Sequence, residues 1–138
     1  MPITRLIQII AGICGVVALT LGMGTYTHAN FTSIHMLFGL LVALALLVLA
    51  IMAAFTNGLR RLGAIGIVYA LIVPIFGVTQ QMILVGDLHW LIEAAHLLVG
   101  FGALAFIGTI SARFTRRKQP ARANQPAHDL TGQAQPMR

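Results

Sequence analysis

The chain has 138 residues, of which 58% are hydrophobic and 9% charged, against about 25% charged in an ordinary soluble domain. Residues 6–59 contain no Asp, Glu, Lys or Arg, which excludes a water-soluble fold with a solvated charged face and makes the lipid bilayer the natural solvent. Nine basic residues against three acidic ones (Asp87, Glu93, Asp129) give a formal charge of +6, but the excess sits at the chain ends and in one short loop, a pattern of membrane orientation and not of a nucleic-acid surface.

The first apolar run begins after Met1 to Arg5 and resembles a signal peptide with a single n-region charge. It continues for about 18 residues or more and no A-x-A site closes it, so a retained first membrane span is expected. Cys14, the single cysteine, lies inside this run, which leaves no intramolecular disulfide and no thiolate cluster to build; a free buried thiol is expected.

Hydropathy divides the chain into four spans near 4–24, 33–55, 62–84 and 88–111, each close to the roughly 20 residues that cross the hydrocarbon core. The connections are a polar segment at 25–33, a basic turn at 56–61 and a short link at 85–89. Loops this short make neighbouring helices antiparallel. The basic residues near the spans fall before span one (Arg5), between spans two and three (Arg60, Arg61) and after span four (Arg113, Arg116, Arg117, Lys118, Arg122). The positive-inside rule then puts both termini in the cytoplasm of a multi-pass protein of the cell (inner) membrane and turns the segments around His28 and Asp87 outward. Domains are expected at 1–111, a four-helix transmembrane unit, and at 112–138, a basic disordered cytoplasmic tail poor in large apolar residues. The basic run is either a stop-transfer anchor or a contact for anionic lipid headgroups, at about 1 kcal/mol per charge near the surface.

Spans two and four carry a repeat. Residues 28–39 (HANFTSIHMLFG) align without gaps on residues 89–100 (HWLIEAAHLLVG), and both read H-x6-H-x3-G. Spans one and three align less well, from Arg5-Leu6 on Arg61-Leu62 with some slippage. The expected fold is all-α: a four-transmembrane-helix bundle built from two parallel helical-hairpin repeats, related by an axis along the membrane normal. That symmetry puts His35 and His96 at similar depth on two helices, below the outer surface. Two imidazoles facing each other across a bundle suit a metalloporphyrin, and neutral imidazole suits iron. Gly39 and Gly100 lie one turn further in on the same faces and leave room for a flat macrocycle, with Leu37, Phe38, Leu40, Leu97 and Phe101 as apolar surroundings. The competing reading makes both histidines interhelical hydrogen-bonding groups, although ionisable residues inside spans usually mark function.

His28 and His89 precede the inner pair by seven residues, about 10.5 Å along a helix and nearly on the same face. Their readings are a propionate partner, part of a quinol or metal site, or residues of the membrane interface. Glu93, the one acidic residue within a span, shares a face with His89 and His96. A carboxylate there is expected to be protonated, paired with a histidine or in contact with water. It reads either as a proton acceptor beside a redox centre or as a hydrogen-bonding residue that orients a histidine. Gln80, Gln81 and Asp87 gather near the same end. Pro74 is expected to kink span three, and Gly12, Gly15 and Gly22 with Gly63 and Gly66 offer close-packing faces. Met23, Met36 and Met82 are alternative iron ligands less well placed than the histidines. No G-x-G-x-x-G, phosphate loop, C-x-x-C-H or Ser/His/Asp arrangement is present.

With these histidines on spans two and four, the chain resembles one four-helix half of the haem A synthase family, whose members typically join two such halves and hold haem by histidines on the second and fourth helices of each. The resemblance covers about residues 4–111 and implies that His35 and His96 ligate haem. The chain departs from the family at Thr32, where the catalytic half carries an acidic residue three before the ligand; Glu93 holds that relation to His96 instead. Met36 and Leu97 follow the ligands where the family commonly has Arg, and the family's extracytoplasmic cysteine pair is absent. The resemblance therefore implies haem binding and not oxidation of a haem methyl group. In outline the chain is also similar to four-helix b-type cytochromes that exchange electrons with quinone.

The expected function is that of a membrane b-type cytochrome with one bis-His haem b, passing electrons between quinol and a partner protein, with Glu93 as proton acceptor. Two other readings stand beside it: a haem-modifying oxidase resembling haem A synthase, and a cofactor-free accessory subunit of a membrane complex. A homodimer is compatible with all three.

Overall fold

The computed structural model describes residues 3–26 and 31–123, with side chains for 3–24 and 31–117. The described residues form four α-helices, α1 (Ile3–Tyr26), α2 (Thr32–Ala54), α3 (Arg60–Thr79) and α4 (His89–Ala123), with a 3₁₀ turn at Gln80–Met82 after α3. Among the described residues there is no strand. All four helices are long and apolar enough to cross a membrane. Large apolar side chains such as Val16, Leu44, Val68, Ile75 and Leu98 lie exposed on the outside of the bundle, where a soluble domain would carry charge.

Two boundaries differ from expectation. The third helix stops at Thr79, and the chain returns through Leu84 and Gly86, both with positive φ (48° and 116°); only Gly adopts that conformation without strain. The fourth helix runs to Ala123 instead of ending at 111. Residues 112–119 hold no Gly or Pro, and their Ala, Arg, Lys and Gln favour helix, so nothing local terminates it there. The rest of the basic tail, 124–138, lies outside the described residues.

Within the bundle α2 packs on α1, α3 and α4, and α4 packs on α1 and α3, while α1 and α3 stay apart. The helices bearing the two repeated histidines therefore face each other across the short diagonal. Small residues set the closest approach: a Cβ on Gly63 would meet the Ala54 Cα at 2.6 Å and the Ala50 carbonyl oxygen at 2.7 Å, so α2 and α3 touch backbone to backbone, the contact that small residues permit in membrane bundles. Side-chain hydrogen bonds tie two further pairs, α3 to α4 and α4 to α1. The Tyr69 hydroxyl donates to the Val99 carbonyl at 3.0 Å, its ring stacking on Phe106 at 5.3 Å. The buried Ser111 hydroxyl donates to the Thr4 carbonyl at 3.3 Å.

The core is unevenly distributed along the bundle. Leu46, Leu49, Ala50 and Ala53 of α2, Ala103, Ile107 and Ile110 of α4, Ala70 of α3, and Ala11 and Cys14 of α1 form one buried cluster. Cys14 is a free, buried thiol, as expected. These positions belong to the half of the bundle that ends in the arginines. Along 19–24, 31–41 and 71–102, which make the other half, no described residue is fully buried.

Candidate functional site

That loosely filled half holds both inner histidines. His35 sits in the first turn of α2, its backbone N–H donating to the Phe31 carbonyl at 2.9 Å. His96 sits two turns into α4. Their ring centres lie 6.0 Å apart with planes inclined at 53°. The repeated spacing and the α2–α4 diagonal bring together two imidazoles that are 61 positions apart in the chain.

The two rings are held differently. Nδ1 of His35 is 2.8 Å from the carbonyl oxygen of Ala18 on α1. A carbonyl only accepts, so this nitrogen carries the proton, and Nε2 is left as the lone-pair nitrogen, the arrangement in which a histidine acts as a ligand. His96 has a buried Nδ1 with no hydrogen-bond partner, and its ring stacks on Phe76 of α3 at 6.0 Å and 27°. A buried polar atom without a partner is costly in an apolar interior.

Each histidine also lies over a glycine of the preceding helix. A Cβ on Gly22 would come within 3.1 Å of the His35 ring, and one on Gly77 within 3.4 Å of the His96 ring. Gly39 and Gly100, one turn inward from the histidines, behave oppositely: a Cβ at either would meet nothing within 4 Å. In the tightly packed half, by contrast, a Cβ on Gly15 or Gly66 would press on Leu104 or Ala50 at under 3 Å.

The remaining candidates are not drawn into this pair. His89 is the first residue of α4, with Nδ1 3.3 Å from the Ile83 carbonyl oxygen, which ties it to the connection before its own helix. Glu93 is exposed, and no hydrogen bond or ion pair joins it to a described residue. Gln81 and Asp87 are exposed and Gln80 is half-buried. His28 lies outside the described residues; α2 begins only at Thr32, so the seven-residue helical register applies to His89 and His96 alone.

Sequence reasoning missed Ala18, Phe76 and Gly77 as neighbours of the histidines, and grouped Gly22 with Gly12 and Gly15 as a general packing face. A backbone carbonyl leaves no trace in a sequence. The glycines do leave one, since Gly22 and Gly77 each stand near the end of the helix that precedes a histidine helix. Among the described residues no three His, Cys, Asp or Glu side chains converge on a point that could hold a metal ion, so the candidate site is a two-histidine arrangement. No protein-family model, curated protein or solved structure was found to match the chain.

Proposed function

We propose that the chain is an integral-membrane b-type cytochrome in which His35 and His96 would hold one haem b. The observation that carries this reading is the pair of facing imidazoles, 6.0 Å between ring centres, in the half of the bundle where no described side chain is fully buried. Two neutral imidazoles this close, one of them with a buried nitrogen that lacks a partner, would suit an iron porphyrin. The donor set fits as well. A bare structural metal asks for about four protein ligands, whereas a metalloporphyrin brings four of its own and asks for two. The Ala18 carbonyl orients one ring, and the open space at Gly39 and Gly100 is where a flat macrocycle can approach the helices.

The chain reads further as two parallel hairpins, α1–α2 and α3–α4, each presenting one histidine beside a glycine of its first helix. The arginines Arg5, Arg60, Arg61, Arg113, Arg116 and Arg117 share one end, which the positive-inside rule assigns to the cytoplasm. The haem then lies near the extracytoplasmic surface of the cell membrane. A haem held there would supply one-electron redox chemistry, through which the two electrons of a lipid-borne quinol would pass singly to a partner protein. Glu93, exposed on α4 one turn before His96, would accept one of the quinol's two protons at its carboxylate, the other leaving to the extracytoplasmic water.

The absorbance spectrum of the purified protein tests this. A Soret band and a reduced α-band that vanish in His35→Ala and in His96→Ala are expected; a colourless preparation from haem-replete cells overturns the proposal. The His35–Ala18 bond is also what a cofactor-free accessory subunit would use to hold its helices, and that second reading expects no chromophore and unchanged helix content when both histidines become Gln. Mass spectrometry of the extracted porphyrin separates a haem-modifying oxidase from a b-type cytochrome, which yields unmodified haem b.

A further inference from the structure

The arginine end of the bundle carries a feature that the haem reading does not use. A cleft of about 280 Å³ opens between the α2–α3 turn and α4, lined by Gly58, Leu59, Arg113, Arg116 and Arg117. The three arginines follow the i, i+3, i+4 spacing that places side chains on one helix face. That face meets the turn because Arg117 reaches across and donates from Nη1 to the Asn57 carbonyl. Gly58, at φ 77°, lets the turn pass directly beneath the guanidinium, where any Cβ would collide with the Arg117 Nη2. Leu59, buried at 3% exposure, floors the cleft and anchors the turn to the bundle.

Nothing described at this end balances the charge. Of the three acidic residues, Asp129 lies outside the described residues, and Asp87 and Glu93 belong to the opposite end of the helices. Glu93 precedes Arg113 by 20 residues, about 30 Å along α4. Arg113 and Arg116 have no hydrogen-bond partner among the described residues, and the single bond of Arg117 leaves most of its five donors unused. A general excess of positive charge sets orientation through separate, solvated side chains. Here three arginines line one concavity and one of them is pinned by a backbone carbonyl, a partial preorganisation of the kind that multidentate recognition of phosphate oxygens uses.

We propose that this cleft is a phosphate-binding site, for a phosphate group presented either by an anionic phospholipid headgroup at the membrane surface or by a soluble phosphate compound. The site is separate from the histidine pair, and its occupancy does not depend on haem.

The test uses the full chain in mild detergent. Two probes are applied: phosphatidylglycerol, with phosphatidylcholine as the zwitterionic reference, measured as lipid retained after repeated detergent exchange; and inorganic phosphate, measured by equilibrium binding to delipidated protein. Two charge-matched variants are compared, Arg113→Gln with Arg116→Gln in the cleft, and Lys118→Gln with Arg122→Gln beyond it. The cleft variant keeps the Arg117–Asn57 bond, and Arg116→Gln alone is read should the double variant lose its helical circular dichroism. The expected result is at least fivefold weaker retention of phosphatidylglycerol by the cleft variant, with wild-type retention by the tail variant. The same contrast seen with inorganic phosphate alone also supports the site and assigns it to a soluble source. Equal losses in the two variants, or no loss in the cleft variant with either probe, overturn the proposal.

Discussion

The imidazole of His35 donates its Nδ1 proton to the carbonyl oxygen of Ala18 across 2.8 Å, and this one bond joins α1 to α2 while defining the tautomer of the ring. Interhelical hydrogen bonds in membrane bundles contribute about 0.6 kcal/mol on average and up to about 1.7. His35→Ala is therefore expected to lower the stability of the haem-free protein by an amount in that range, measured as the detergent-denaturation midpoint. His96→Ala, whose Nδ1 has no partner to lose, is expected to leave the haem-free midpoint unchanged or raised. Both abolish the proposed Soret band. A larger stability loss for His96→Ala would contradict the asymmetry of the pair.

Gly22, one turn along α1 from Ala18, lies against the same ring. Its substitution by Ala puts a methyl group 3.1–3.2 Å from His35 Cε1 and Nδ1, closer than the ring tolerates without shifting by a few tenths of an ångström. Gly22→Ala should reduce haem content per protein severalfold, and Gly22→Val should abolish it. Gly12→Ala on the same helix meets nothing within 4 Å and should be silent. Absorbance ratios of the Soret band to the protein band measure all three; equal effects at Gly12 and Gly22 would argue that helix propensity, not the contact with His35, is responsible.

The α2–α3 seam is expected to be the least forgiving part of the bundle. A Cβ on Gly63 meets the backbone of Ala54 and Ala50, which cannot rotate away, so Gly63→Ala should cost about 1–3 kcal/mol, as overpacking does. At Gly15 the obstacle is the end of the Leu104 side chain, at 2.8 Å, which has other rotamers. Gly15→Ala should therefore cost well under half as much in the same denaturation assay.

Tyr69→Phe removes the α3–α4 bond to Val99 while keeping the ring stacked on Phe106. The expected loss is about 0.6 kcal/mol and at most about 1.7. Helix content should not change, because the bond joins helices and is not part of one. Circular dichroism and the denaturation midpoint together check this.

Much of the architecture was legible in the sequence. The four helices were, because crossing a membrane is a local requirement: about 20 apolar residues without charge suffice, and residues 6–59 or the run after Arg61 show it without reference to the rest of the chain. The facing histidines were legible as well, since H-x3-G occurs in the first turns of two helices that short loops force to run in the same direction. The extension of α4 to Ala123 and the early stop of α3 at Thr79 were not, because helix ends depend on propensity and turn geometry that hydropathy does not report.

What only the tertiary structure decided is how each helix is rotated about its axis and which neighbour each polar atom meets. α2 is apolar on all sides beyond His35, so its sequence names no inward face. The contact with Gly63 and Gly66 on α3 sets that rotation, and with it the aim of His35 toward Ala18 and His96. The same packing leaves Glu93 exposed although it shares a helix face with His96 in projection, fills the arginine half with Leu46, Leu49, Ile107 and Ile110, and leaves the histidine half open. The four segments apolar enough to cross a membrane follow from composition, because water excludes them wherever they pack. The histidine site and the arginine cleft follow from helix rotation, which is chosen by the fit of glycine and alanine surfaces across the bundle.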